Sequence, residues 1–194
     1  MVRSLFISLA ALMFTTSAIC HADTQSPKAE IQKTIDSIIS TVQANPGDAG
    51  KGPRRQKLRE IINPKFDFDE MSKRSLGSNW TDITPAEQKD FTTVFSELLA
   101  RTYLSKIETV KPGMVKVESE QIDGAKAVVK TVVLSQGDTF PIDYKMMYRD
   151  NGWRVYDVVI ENIGLVANYR NEFSGIIRKD KFSGLMEKLR AKVK

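Results

Sequence analysis

Between Met114 and Glu161 the chain reads MVKVESEQIDGAKAVVKTVVLSQGDTFPIDYKMMYRDNGWRVYDVVIE, and its apolar residues recur largely at every second position. Met114–Gln121 and Ala125–Ser135 are β-rich runs parted by Asp123-Gly124, a pair suited to a hairpin turn. Gln136-Gly137-Asp138 supplies the next turn. In the third run Phe140, Ile142, Tyr144, Met146 and Tyr148 fall on one face, and Pro141, Asp143, Lys145, Met147 and Arg149 on the other. Asp150-Asn151-Gly152 then turns the chain into Trp153–Glu161. Four successive strands joined this tightly predict an antiparallel meander.

On either side the period changes to that of a helix. Ile31, Ile35, Ile38, Ile39 and Val42 predict an amphipathic helix over 28–43, ended by Asn45-Pro46-Gly47. A second, short helix over 54–62 stops before Pro64, because the residue preceding a proline avoids helical geometry. Phe66-Asp67-Phe68-Asp69-Glu70-Met71 signs another start: Asp67 as cap, Glu70 three positions on, and Phe66 stapled against Met71, with Gly77 as exit. Thr84-Pro85-Ala86-Glu87 combines a cap, a proline at the first helical position and a capping-box glutamate. The helix it opens runs to about Glu108, with Phe91, Val94, Phe95, Leu98, Leu99, Thr102, Tyr103 and Ile107 on a broad face. After the meander come helices over 163–178, with Leu165, Val166, Tyr169, Phe173, Ile176 and Ile177 as the apolar face, and from 181 to the end. Helices, then a meander, then helices predict one α+β domain whose curved sheet is covered on one side.

The first residues have a different character. Met1–Arg3 is a short positive start, Leu5–Phe14 is almost wholly apolar, and Ser17–Ala22 brings small residues before Asp23-Thr24-Gln25. That layout predicts a secretory signal peptide over 1–22, cleaved after Ala22, with the domain proper over 23–194 and the periplasm as destination. Bulky Ile19 before Cys20 argues against a lipoprotein cysteine. The only cysteine and the only histidine, Cys20 and His21, both leave with this segment. The remaining chain thus offers no disulfide, thiol nucleophile, imidazole base or Cys/His metal site, and no cofactor is expected. Arg3 is the only Lys, Arg, Asp or Glu lost, so the formal net charge of +5 falls by one. Basic residues gather at Lys51, Arg54, Arg55, Lys57 and Arg59, and again from Arg178 to Lys194. They read first as solvated helix faces, and second as attraction to anionic lipid or an acidic partner. No nucleic-acid motif accompanies them.

Two blocks carry a family resemblance. Phe66–Ile107, FDFDEMSKRSLGSNWTDITPAEQKDFTTVFSELLARTYLSKI, and Val155–Leu189, VYDVVIENIGLVANYRNEFSGIIRKDKFSGLMEKL, resemble the MlaC or toluene-tolerance family of periplasmic phospholipid-binding proteins. The matching features are FDFD-x-M, Leu-Gly before a tryptophan, Thr-Pro-x-Glu, Leu-Leu-x-Arg-Thr-Tyr, Val-Tyr-Asp-Val, Asn-Tyr-Arg-x-x-Phe and Phe-x-Gly-Leu. The resemblance implies an NTF2-like cone, a curved sheet wrapped by helices around an apolar cavity. It further implies a monomeric carrier of phospholipid between an outer-membrane lipoprotein complex and an inner-membrane ABC transporter of the MCE type. On that reading the lipid-binding set is Phe95, Leu98, Leu99, Tyr103, Ile142, Tyr144, Met146, Tyr148, Ile163, Val166, Tyr169 and Phe173, with Met147 as a flexible neighbour. Arg101, Lys145, Arg149 and Arg170 are the headgroup candidates, each also readable as an ordinary surface charge.

Other occupants of such a cavity are a hopanoid-like lipid or, for a chaperone, polypeptide. Some NTF2-like domains are isomerases with buried aspartate and tyrosine. Adjacent strand residues point to opposite faces, so Asp143 cannot join Tyr144, nor Asp157 join Tyr156; only a cross-strand pair of Tyr144 with Asp157 stays open. A non-enzymatic carrier is the expectation.

Overall fold

The computed structural model describes residues 26–135 and 137–194; the signal-peptide expectation and Gln136 lie outside them. Five helices and five strands run in the order α1 (Pro27–Ala44), α2 (Lys51–Ile62), α3 (Phe68–Leu76), α4 (Pro85–Ile107), β1 (Val115–Asp123), β2 (Lys126–Ser135), β3 (Asp138–Arg149), β4 (Gly152–Ile160), β5 (Ile163–Gly164) and α5 (Leu165–Val193). The sheet is antiparallel with order β1-β2-β3-β4-β5. This is the α+β meander with flanking helices that the periodicity predicts.

Local chemistry accounts for the boundaries. Asp67 caps α3 by accepting from the Glu70 backbone N–H at 2.9 Å, and Gly77 ends it at φ 59°. That positive φ favours glycine, and the Arg170 side chain packs against the open face it leaves. Thr84 and Glu87 form the reciprocal capping box at the start of α4. Asp150 and Asn151, both at positive φ, make the two-residue turn from β3 to β4. Glu161 and Asn162 repeat it and lead into β5, a two-residue strand too short to register in the sequence. The two C-terminal helices join as α5 across a kink at Lys181, φ 62°. Gly184 is required there, since a Cβ would lie 2.4 Å from that of Asp180.

Two irregularities bend the sheet. The β1–β2 register shifts between Val117 and Ser119, and the β3–β4 register between Lys145 and Met146. Each inserts an extra residue and increases local curvature. The concave face carries Ile142, Tyr144, Met146 and Tyr148 of β3 opposite Ile160, Val158, Val155 and Trp153 of β4.

The core is divided. One buried cluster is purely helical: Met71 and Leu76 of α3, Phe91, Phe95 and Leu98 of α4, and Leu165, Phe173 and Leu185 of α5 are among its members. The other joins Ile31 and Ile35 of α1 to Val117, Ala127, Val129, Met146, Trp153 and Val155 of the sheet. Phe66 packs against both.

Candidate functional site

Helix α1 packs on the concave face through Ile31 and Ile35. Along β3, Met146 is buried beneath it, whereas Tyr144 and Ile142 are half-buried, as are their β4 partners Val158 and Ile160. Phe140 continues the row, half-buried. From the helical side, Tyr103 of α4 stands half-buried at the margin of its cluster. Phe140, Ile142, Tyr144, Val158 and Ile160 thus form a half-buried apolar row on this face of the sheet.

Tyr144 belongs to that row. Burial alone pushes its phenol up to about 12, and no hydrogen bond or charge among the described residues contributes. Yet the residue keeps accessible surface. Tyr169 is also pushed up to about 12, by burial first and then by the neighbouring Tyr103 phenol, against a hydrogen bond from Thr102. The Tyr103 phenol is itself raised by burial.

The expected lipid-binding residues fall into three groups. Ile142, Tyr144 and Tyr103 are half-buried, the first two on the sheet and Tyr103 against the helical cluster. Met146 is a buried member of the cluster that α1 forms with the sheet, and Tyr144 and Tyr148 pack against it, Tyr148 edge-on to Trp153 with ring centroids 5.4 Å apart. Phe95, Leu98, Leu99, Val166, Tyr169 and Phe173 are filled into the helical cluster, where Phe95 meets Tyr169 edge-on at 5.1 Å. Ile163 is 65% exposed on β5, at the rim of the sheet rather than inside it.

The headgroup candidates divide as sharply. Arg149 donates at 2.9 Å to Oδ2 of Asp67, the α3 cap. The Nε of Arg170 donates at 2.6 Å to the backbone carbonyl of Arg74, near the other end of α3. Lys145 lies 3.5 Å from Asp157, whose other oxygen accepts from the Val166 N–H at 3.0 Å and so caps α5. These three cations are bound into the scaffold. Arg101 alone faces a groove, one of about 460 Å³ between α2 and α4, lined by Arg55, Arg59, Glu97, Arg101 and Leu104.

The structure also disposes of the cross-strand dyad. Asp157 pairs in register with Lys145, and Tyr144 with Val158, so the aspartate lies on the convex face and the tyrosine on the concave one. The β4 irregularity is the reason: it shifts the phase so that Val158 and Ile160, not Asp157, turn inward. No sequence signal announces that shift, which is why Val158 and Ile160 are absent from the expected set. Among the described residues no group of His, Cys, Asp and Glu is arranged to hold a metal ion, and no helix is long and apolar enough to cross a membrane.

Fold and site together define an α+β domain with a half-buried apolar row on a bent sheet beside a filled helical cluster. The MlaC family model matches residues 32–191, and the chain belongs to that family. It is 23% identical over 189 residues to the intermembrane phospholipid transport system binding protein MlaC of Haemophilus influenzae, covering 93% of this chain and 87% of that protein. It is 24% identical over 183 residues to toluene tolerance protein ttg2D of Pseudomonas putida, covering 92% and 83%. A solved phospholipid-binding protein from Ralstonia solanacearum, in complex with a phospholipid, superposes with a TM-score of 0.77 at 27% identity, covering 86% of this chain and 96% of that one.

Proposed function

We propose that this protein is a soluble, non-enzymatic phospholipid carrier that holds acyl chains along the half-buried apolar row of the concave sheet face. The observation that carries this reading is the half-buried row Ile142, Tyr144 and Val158, beside a fully filled helical cluster, in a fold shared with a phospholipid complex. Hiding a methylene from water contributes on the order of 0.8 kcal/mol. Lipid in a bilayer is already dry, so transfer into the protein is near an exchange, and a loosely matched apolar strip suffices. With residues 1–22 read as a cleaved signal peptide, the carrier works in the periplasm. Its monomeric form shuttles between an outer-membrane lipoprotein complex and an inner-membrane MCE-type ABC transporter, as the family resemblance implies.

The test is native mass spectrometry of protein purified from periplasm without detergent, with the bound mass identified after extraction. A diacyl phospholipid mass supports the reading. A hopanoid mass keeps the carrier and changes the cargo, and a bound peptide converts it to a chaperone. Apoprotein that stays empty after incubation with liposomes overturns it.

A further inference from the structure

The register of the sheet separates two rows of side chains on its concave face by how far each is covered. Residues directly opposite each other in an antiparallel sheet share a face, so a row can be followed from strand to strand. One row runs through Ile122, Ala127, Met146 and Val155, from β1 to β4. Ile122 is 52% exposed, but Ala127, Met146 and Val155 are buried, so this row closes at its first step inward. The other row runs through Val117, Thr131, Ile142, Ile160 and Ile163, across all five strands. Val117 and Thr131 are buried, Ile142 and Ile160 are half-buried, and Ile163 is exposed. Accessibility thus rises along this row and reaches solvent at β5.

A single exposed isoleucine on a protein surface calls for no explanation, and Ile122 is one. Leu134, the third large apolar residue exposed among the described ones, adjoins Val133 in β2 and faces the opposite side of the sheet from it. Ile163 differs because it continues a half-buried apolar row in register. Of Phe140, Ile142, Tyr144, Val158, Ile160 and Ile163, it alone is exposed rather than half-buried. Its position is fixed: Glu161 and Asn162 turn the chain at positive φ, and the Glu161 N–H donates to the Pro141 carbonyl at 3.1 Å, which ties the corner to β3. β5 is the last strand of the sheet among the described residues. An acyl chain that moves between this row and a bilayer exposes least to water when its methylenes pass over apolar surface throughout. We infer that the β4–β5 corner, with Ile163 at its tip, is the portal through which acyl chains enter and leave, and that it works in contact with the surface of a phospholipid bilayer. This rests on the carrier reading above and adds to it the place of transfer.

The experiment uses vesicles of dioleoyl phosphatidylcholine carrying a self-quenched fluorescent phospholipid. Uptake is followed by dequenching, and release by transfer from the loaded protein into unlabelled vesicles. Ile163→Asp is compared with Ile122→Asp, the same substitution at an exposed isoleucine of the same face whose row is closed. Ile163→Asp slows uptake and release alike by about tenfold, the factor expected from losing one isoleucine's apolar contact while the chain crosses. Ile122→Asp leaves both rates near wild type, and Ile163→Leu restores them. A portal acts on the barrier and so on both rates together, whereas a residue that only holds bound lipid changes their ratio. Unchanged rates in Ile163→Asp, an equal slowing in Ile122→Asp, or a shift in the ratio of release to uptake each overturn the portal. If Ile163→Asp fails to fold, Ile163→Ser against Ile122→Ser carries the same comparison. Wild type that takes up no lipid from the vesicles overturns the carrier reading itself, and the portal with it.

Discussion

The helical cluster and the upper concave face of the sheet are built from the same kinds of side chain and end in opposite states. Phe91, Phe95 and Phe173 have no exposed surface and lock together edge-on and stacked at 5.5–5.7 Å. Ile142, Tyr144 and Val158 are no less apolar as a set, yet each keeps accessible surface. The difference lies in what faces them. Three helices supply complementary ridges to one another, whereas this row of the sheet packs against the α1 cluster only at its edge and stays half covered. Apolar sequence therefore specifies which faces avoid water, and geometry specifies whether protein or ligand keeps water out.

That contrast can be broken or sharpened by substitution. Phe95→Ala empties a closed site and is expected to destabilise by about 3–5 kcal/mol in denaturant unfolding. A loss below about 1 kcal/mol there removes the distinction between filled and open regions. Asp157→Ala removes a buried carboxylate that caps α5 and pairs with Lys145, with an expected loss of about 2 kcal/mol by the same measurement. Thr84→Ala, which dismantles the capping box of α4, is expected to cost about 1 kcal/mol.

Ile142→Ala has the smallest expected effect on stability, under about 1 kcal/mol, because the site is already incompletely packed. Ile142→Trp sharpens the comparison: a closed core loses about 1–3 kcal/mol on overpacking, but here unfolding stability stays near wild type while lipid load falls. Ile142→Asp probes lipid binding more cleanly than a charge at Leu99, which sits in the helical cluster and would unfold it. Alkaline titration addresses both regions at once. The phenols of Tyr144 and Tyr169 are raised from 10 to about 12 in the folded chain. The stability tied to their neutral forms is therefore complete below pH about 10, and it drains away as pH rises toward about 12. Tyrosine ionisation followed in the ultraviolet should show one late-titrating phenol fewer in Tyr144→Phe than in wild type. An unchanged number of late phenols in that variant overturns the assignment of one of them to Tyr144.

Much of the architecture was legible because its signals are local. The Thr84–Glu87 box, the Asp67 cap, the Asp150-Asn151 turn and the alternation of β3 each depend on residues a few positions apart, and all appear where their chemistry predicts. The site was legible only in part. Strand phase put Ile142 and Tyr144 on the concave face, but the β4 irregularity that admits Val158 and expels Asp157 is a property of two paired strands. The arginines of α2 were visible as a basic run. Their relation to Arg101 was not, since Glu97 and Glu108 bring together residues about forty or fifty positions apart. Arg149 and Arg170 had looked like surface cations for the same reason: the ends of α3 that they hold lie more than eighty residues upstream.

By itself the sequence determined the helices, the order of strands, the faces that turn from water and, through its motifs, the family. Tertiary structure alone decided which apolar faces are filled and which cations are consumed by the scaffold. Filling and ion pairing depend on distances between elements, and those distances follow from bulges, sheet curvature and long-range ion pairs that no local run of residues encodes.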